Sequence, residues 1–540
     1  MVRVKRKASE WLALLSDPDA AVRHRFVRIY GEATESLKER IAWYGDAVRR
    51  FCEVYGQDQE VVVVRAPGRI NLTGMHIDHR GGHVNPIACR EVVMVVEGRE
   101  DDQVVLRNTD ERFEPCSFTI GEELPEAPID DWERWTRERA QERTRDGTAG
   151  HWSGYVKAPL VHLQDRLKGQ RLRGMNAMVS GNIPQAAGLS SSSALVVGTL
   201  EACLHLNGLH FPPEEFVEFC GIAEWYIGTR GGSGDHGAIK FSRQGFLSHI
   251  GFFPLEVELV PFPADYRVVI CNTGVLAQKA AGARDMFNRR VAAYQIGLML
   301  IKERFPHFAH RLLRFRDLNA SNLEVDEATI YELLLSLPQT ITRQELAVAL
   351  PDQRGQLLRL YGSHADPPGG YLVRQVCLFG VAECQRGAMA VDRLRVGDME
   401  GFGELMNLSH EGDRVTHIVD GRRVPQAYSL PDQRLQGLIS DWRSGSPARR
   451  EAARLYRQPG GYRVSCPEGD ELVDIASDVE EVVGARLVGA GLGGCVAALV
   501  RHDRVEDLLR SVRSRYYEPR GLAPAIEVCA PIEGSGLLDI

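Results

Sequence analysis

The stretch Pro184-Gln185-Ala186-Ala187-Gly188-Leu189-Ser190-Ser191-Ser192-Ser193 is the part of this chain best suited to hold phosphate. It puts a glycine and a run of hydroxyls ahead of the small apolar segment Ala194-Leu195-Val196-Val197-Gly198. That pattern reads as a tight loop entering a buried helix. A helix N-terminus offers unpaired N–H groups and the positive end of the dipole, and both favour an anion. Serine hydroxyls add hydrogen bonds or a magnesium contact. A second cluster lies upstream, where Arg69, Asn71, Met75, His76, Asp78, His79 and Arg80 follow the turn Pro67-Gly68. Carboxylates that accept from hydroxyls, beside arginine and histidine donors, suit a polyol. Downstream come Glu224 and the glycine-rich loop Gly231-Gly232-Ser233-Gly234-Asp235. Last is Gly489-Ala490-Gly491-Leu492-Gly493-Gly494-Cys495, where glycines let backbone approach a phosphate or another segment closely. Each of these has an ordinary reading too: a serine linker, a polar loop, a turn acid, close packing.

These loops need elements to position them. Glu60-Val61-Val62-Val63-Val64 predicts a buried strand running into the Pro67-Gly68 breaker, and Val92–Val96 and Gln103–Leu106 predict two more. Helices are expected over Ala194–Leu206, Pro213–Tyr226, 285–305 and Glu468–Ala476, with a strand at Tyr266–Cys271. Arg463-Val464-Ser465 and Ala485–Val488 read as returning strand segments. Residues 121–150 read as a surface excursion, 441–461 as a surface loop or insertion, and 8–55 as helical. The glycine cluster has no following ribose-binding acid, and no GxxxxGK[ST] string occurs, so neither a dinucleotide fold nor a Walker-type site is expected.

A length of 540 residues exceeds one ordinary core. The net charge of −8 gives no reason to expect a nucleic-acid partner. The 11 cysteines show no CxxC pair and no zinc spacing, which fits reduced thiols and a cytoplasmic protein. No apolar run reaches the roughly 20 residues that span a bilayer, so no membrane partner is expected.

In this order, the loops resemble the GHMP small-molecule kinases, and among them galactokinases. Residues 69–88 resemble their first signature, 184–192 their Pro-x-x-x-Gly-Leu-Ser-Ser-Ser loop, and 489–495 their third motif. Phe402–Met406 with Ser409-His410, and Tyr462–Pro467 with Asp470, look like lesser galactokinase strings. The resemblance implies an α+β, two-lobed fold. The N-lobe would be like ribosomal protein S5 domain 2 and the C-lobe ferredoxin-like. We divide the chain into a helical extension (1–58), an N-lobe (59–265) and a C-lobe with insertions (266–540). The resemblance further implies ATP and Mg2+ as cofactors and a small sugar as the substrate phosphorylated at its anomeric hydroxyl. Pro184, Gly188, Leu189, Ser190, Ser191, Ser192, Ser193, Gly491 and Gly493 would hold ATP, and Ser192, or its neighbour Ser191, would hold the metal with Glu224. Asp235 would act as catalytic base or orienting acceptor beside Arg69. Met75, His76, Asp78, His79, Arg80, Gly232 and Phe287 would face the sugar.

The chain departs from galactokinases where the sugar is read. Gly74-Met75-His76-Ile77-Asp78-His79 replaces Gly-Glu-His-Thr-Asp-Tyr, so Met75 stands for the glutamate that receives the C6 hydroxyl. Phe287 stands for a sugar-contacting tyrosine. A carboxylate at C6 would be repelled by a glutamate at position 75, at a cost of roughly 4 kcal/mol for like charges about 4 Å apart. The string His76-Ile77-Asp78-His79 with Gly81-Gly82 also looks like that of galacturonokinases, and galacturonic acid is the expected substrate. Fucose or arabinose, which lack a C6 oxygen, and galactose with Met75 merely packed remain as alternatives. So does a non-catalytic sugar sensor, although the acids that chemistry needs are present.

Overall fold

The computed structural model describes residues 4–540 except 33, 186, 276–280 and 427. The first sheet is built from β1 (Lys5–Lys7), β2 (Glu60–Asn71), β3 (Pro86–Gly98), β4 (Gln103–Asn108), β5 (Cys116–Thr119) and β6 (Met175–Gly181), in the order β1-β2-β3-β6-β4-β5. Only the β4–β6 pair among these is parallel. The valine run in β2 is buried on both sides. Val62, Val64 and Ala66 face the core that holds the helix Ser191–Leu206, while Val61 and Val63 face Trp11, Phe26, Tyr44 and Phe51 of the N-terminal helices. β3 repeats this, with Val92, Met94 and Val96 on one side and Val93 and Val95 on the other. A sheet covered on both faces has no polar face, which is why its sequence shows a run and no alternation.

Residues 8–55 supply the second cover as the helices Ala8–Ser16, Ala20–Tyr30 and Thr34–Tyr55. They share their core with Ile532 and Leu538 of the C-terminal tail. Arg65, buried in β2, ties these layers together. Its Nε donates to Glu91 at 2.9 Å, its Nη2 to the carbonyl of Glu533 at 2.9 Å, and the Tyr30 hydroxyl donates to the same Glu91.

A hairpin of β7 (Phe246–Gly251) and β8 (Glu256–Pro261) leads into β9 (Tyr266–Asn272). After a mainly helical stretch, β10 (Thr416–Val419) and β11 (Arg422–Pro425) form a second hairpin. The second sheet joins β9 to β12 (Val482–Leu487), β13 (Cys495–Arg501) and β14 (Ile526–Cys529), antiparallel throughout in the order β12-β13-β9-β14. The helices Pro467–Ser477 and Val505–Val512 pack on one face of it. β15 (Gly536–Leu537) returns to pair with β2, so the chain ends on the first sheet. The architecture is the mixed α+β, two-lobed one expected.

Two local expectations are corrected. Residues 441–461 are not a surface loop: they hold the helix Pro447–Ala452 and a helical turn at Leu455–Arg457, with Ala453 and Leu455 fully buried. Arg463-Val464-Ser465 is not a strand. The N–H groups of Tyr462 and Arg463 both bond the carbonyl of Gly412, and Arg463 has φ +60°, outside the extended region that regular strands occupy. Among the described residues no helix is long and apolar enough to cross a membrane.

Candidate active site

Arg69 stands near the end of β2, just past a bulge at which β3 carries the extra residue, Arg90, opposite Pro67 and Gly68. Its backbone N–H bonds the carbonyl of Leu189 at 3.1 Å, and its Nη1 donates to that of Gly188 at 2.6 Å. Its Nε and Nη2 both lie 2.7 Å from Asp235 Oδ1. The Ser190 hydroxyl donates to the other oxygen, Oδ2. Asp235 sits in the first turn of the short helix Gly234–Phe241 and keeps 35% of its side chain exposed. One carboxylate is therefore gripped by an arginine at the end of β2 and a serine of the 184–193 loop, with open surface left over.

Asp78 begins a single helical turn, Asp78–Arg80. Burial pushes its carboxyl up, but the bond and charge of His79 and the charge of Arg69 outweigh that and hold it at about 2. Burial lowers His79 as well, helped by Arg80, against the pull of Asp78. The pair therefore presents an ionised acid that His79 Nδ1 holds at 3.0 Å. The glycine loop closes over this acid. A Cβ on Gly232 would lie 2.7 Å from Asp78 Oδ2, and one on Gly234 would lie 2.9 Å from it.

The remaining sugar-loop residues sit deeper. His76 has φ +62°, its ring stacks on Tyr462 at 4.2 Å, and its Nε2 is 3.4 Å from Asp413. Met75 is 4% exposed, and its sulfur accepts from Asn71 Nδ2 at 3.2 Å. Arg80 donates to the carbonyl of Val291 at 3.0 Å, while its Nε is buried without a hydrogen-bond partner. Burial lowers its guanidinium to about 10. Phe287, on the helix Ala281–Arg304, places its ring 6.2 Å from His79.

The serine loop leads into the N-terminus of a helix. Pro184 is partly buried ahead of the loop, Gly188 has φ +77°, and Ser190 has φ +61°. Ser191 and Ser192 open the helix Ser191–Leu206. Ser193, the next hydroxyl, donates to Glu224 Oε1 at 2.7 Å, and His236 Nε2 lies 3.4 Å from the same oxygen. The glycine cluster abuts this loop: a Cβ on Gly188 would lie 2.4 Å from the carbonyl of Val488, and one on Gly489 2.5 Å from Gly188 Cα. Gly491 and Gly493 also have positive φ, and a Cβ on Gly491 would lie 2.2 Å from the carbonyl of Val464. Two segments three hundred residues apart thus touch backbone to backbone, which only glycine permits.

Some residues of the site escaped the sequence reading. Tyr462, which stacks on His76, lay in a string already singled out, but nothing in the string marked its partner. Asp413 and Glu383 lie within ordinary amphipathic helices, and no local pattern distinguishes them.

The fold and this site define a two-lobed small-molecule kinase. Residues 49–99 match the galactokinase galactose-binding signature, 154–243 the GHMP kinases N terminal domain and 436–518 the GHMP kinases C terminal domain. A galactokinase of Dictyostelium discoideum is 25% identical over 495 residues, 89% of each chain. One of Streptococcus thermophilus is 28% identical over 498 residues, covering 91% of this chain and 98% of its own. In fold the chain is similar to Lactococcus lactis galactokinase complexed with galactose, at TM-score 0.62 and 24% identity, over 90% of this chain and 97% of that one. The chain carries the galactokinase signature and both GHMP kinase domains, and it is galactokinase-like. It is a phosphotransferase with an alcohol group as acceptor.

Proposed function

We propose that this protein transfers the γ-phosphoryl group of ATP to the anomeric hydroxyl of galactose. The observation that carries this is the Arg69–Asp235–Ser190 cluster, where the sugar loop, the serine loop and the glycine loop converge on one carboxylate. A sugar hydroxyl is a poor nucleophile, and Asp235 accepts its proton as the bond to phosphorus forms. Arg69 orients that acid and offsets charge on the phosphoryl oxygens. Asp78, ionised and fixed, accepts from ring hydroxyls. Gly188 to Ser193 fit a triphosphate, since they combine left-handed backbone with the N-terminus of a 16-residue helix. Ser192 and Glu224 are the ligands proposed for Mg2+, which when bound neutralises phosphate charge. With Ser193 bonded to Glu224, its hydroxyl orients that acid. Positioning and electrostatics are most of what phosphoryl transfer requires.

The galactokinase relatives support galactose over the galacturonic acid expected from Met75. The side chain of Met75 is buried against Asn71, as in the reading where it merely packs. One feature favours galacturonic acid as a second reading: Arg80 lies within the sugar loop, and among the described residues it has no carboxylate at ion-pair distance. ADP release measured with galactose, galacturonate, fucose and arabinose separates these. Turnover of galacturonate but not galactose would overturn the main reading. Asp235→Asn should lower kcat by about 10²–10⁴-fold while ATP still binds, and wild-type turnover in that variant would remove Asp235 from the mechanism.

A further inference from the structure

Glu383 lies in the middle of the helix Val373–Arg395 and has no solvent exposure. Its Oε1 accepts the backbone N–H of Gly74 at 2.9 Å and that of Met75 at 2.8 Å. The Ser409 hydroxyl donates to the same oxygen at 2.8 Å, and Arg386 Nε donates to Oε2 at 2.6 Å. Arg486 completes the set, with Nη1 3.7 Å from Oε1 and 2.6 Å from Ser409 Oγ. A charged acid from the second half of the chain therefore reaches into the turn that precedes His76 and Asp78.

The rest of that helix face follows it in. A Cβ on Gly387 would lie 2.3 Å from the carbonyl of His83, so the helix presses on the far end of the same loop. Gly387 also accepts from Asn85 Nδ2 at 2.8 Å. A Cβ on Gly82 would lie 3.1 Å from Cys384 Sγ. Positions 383, 384 and 387 share one helical face. Between these two anchors the loop holds His76 at φ +62°, a conformation a non-glycine residue keeps only where its surroundings impose it.

Every oxygen of Glu383 is taken by the protein, so it does not touch substrate. An ion pair that served stability alone would need Arg386 and Arg486 but not two consecutive amides of a loop from the other lobe. We propose that Glu383 is a positioning residue for sugar recognition, holding the Gly74–Met75 turn so that His76 and Asp78 face the Gly232–Asp235 loop. This rests on residues 69–83 being the sugar loop.

The test is Glu383→Gln, read in two ways. Steady-state kinetics should show the sugar KM raised about tenfold or more with the ATP KM within about twofold. Amide hydrogen exchange without ligands should show Gly74 and Met75 exchanging about tenfold faster, with the helix Ser191–Leu206 unchanged. A merely structural role predicts instead a lower folded fraction, a proportional fall in kcat and an unmoved sugar KM, and that result overturns the proposal. If Glu383→Gln does not fold, Glu383→Met with Arg386→Met removes both charges together and must show the same KM split. If the wild-type protein phosphorylates none of the sugars, the functional reading fails. Exchange at Gly74 and Met75 then still decides whether Glu383 clamps the turn, and unchanged exchange refutes it.

Discussion

A methyl group on Gly232 is the smallest change that perturbs sugar recognition without touching the phosphate loop. The backbone there is outside the left-handed region, so alanine brings no conformational penalty, only bulk. Its Cβ would lie 2.7 Å from Asp78 Oδ2 and 3.0 Å from the His79 nitrogen. Carbon–oxygen contacts settle at about 3.3–3.6 Å, so the glycine loop and Asp78 must part by roughly 0.6–0.9 Å. Asp78 cannot yield freely, because His79 Nδ1 holds its Oδ1 at 3.0 Å. A hydrogen bond to a charged acceptor is worth about 1.5–3 kcal/mol. Losing one sugar hydroxyl bond to a displaced Asp78 should therefore raise the sugar KM roughly 10- to 150-fold, with the ATP KM nearly unchanged. Gly231→Ala is the internal control, since its Cβ would meet only Thr229 Cγ2, at 3.9 Å. Steady-state kinetics in both substrates reads the difference. If Gly232→Ala leaves the sugar KM within about twofold of wild type, or if the two alanines behave alike, Asp78 is not where the sugar is read.

Three other outcomes are expected. Gly188→Ala places a Cβ 2.4 Å from the Val488 carbonyl at φ +77°, so the ATP KM should rise and stability fall by about 1–3 kcal/mol, while the sugar KM holds; calorimetry and kinetics check both. Arg69→Lys keeps the charge but loses the fork that grips Asp235 and the Gly188 carbonyl, so kcat should drop by about 10²–10³-fold, and an unaffected kcat would show that charge alone suffices. His162 lies between Trp132 at 4.3 Å and Phe219 at 4.5 Å, where burial, with Arg166, lowers it to about 3. Because the folded value is below the unfolded one, the unfolded chain takes up the proton first. Its contribution is intact above about pH 6.5 and lost progressively below it, reaching about 2 kcal/mol at pH 5. Urea unfolding of His162→Leu should show a shallower fall between pH 7.5 and 5, and an identical fall would acquit this histidine.

How much of this was legible depended on how local the information was. The valine run of β2, the serine-led helix and the glycine pairs announce themselves through composition, and each lies where its pattern placed it. The order of Arg69, Gly188–Ser193, Glu224 and Asp235 carried the family resemblance, and three of these meet at one carboxylate. What stayed hidden was long-range. Nothing around Glu383 says that its carboxylate will meet amides some three hundred residues upstream, and nothing around Tyr462 says that it will stack on His76. The misreading of Arg463-Val464-Ser465 has the same origin. Its apolar–polar alternation suits a strand, but its hydrogen bonds go to Gly412 and Asp413, contacts that only the tertiary fold supplies. Helical residues within 441–461 were masked by prolines and glycines that cap and join short helices.

The site holds left-handed backbone at four non-glycine positions, and each has a support. His76, Ser190, Arg463 and Leu492 are all non-glycine residues with φ near +60°, and each belongs to a loop of the site or packs against one. Such conformations cost about 1–3 kcal/mol each and persist only where neighbours over-determine them. Each has its restraint. Glu383 holds the turn before His76, and Ser190 is pinned through Asp235 to Arg69. Arg463 donates to the carbonyl of Gln426, and the Leu492 N–H bonds that of Val464 at 2.6 Å. Arg69 extends from a strand buried on both faces, whose far face is covered by the N-terminal helices and the returning C-terminal tail. Those layers lie away from the chemistry, yet they keep β2 fixed. Deleting residues 533–540 removes the carbonyls that Arg65 bonds, and amide hydrogen exchange should then rise at Arg69 and Asp235 before it rises in the second sheet; unchanged exchange at Arg69 would show that β2 does not depend on the tail.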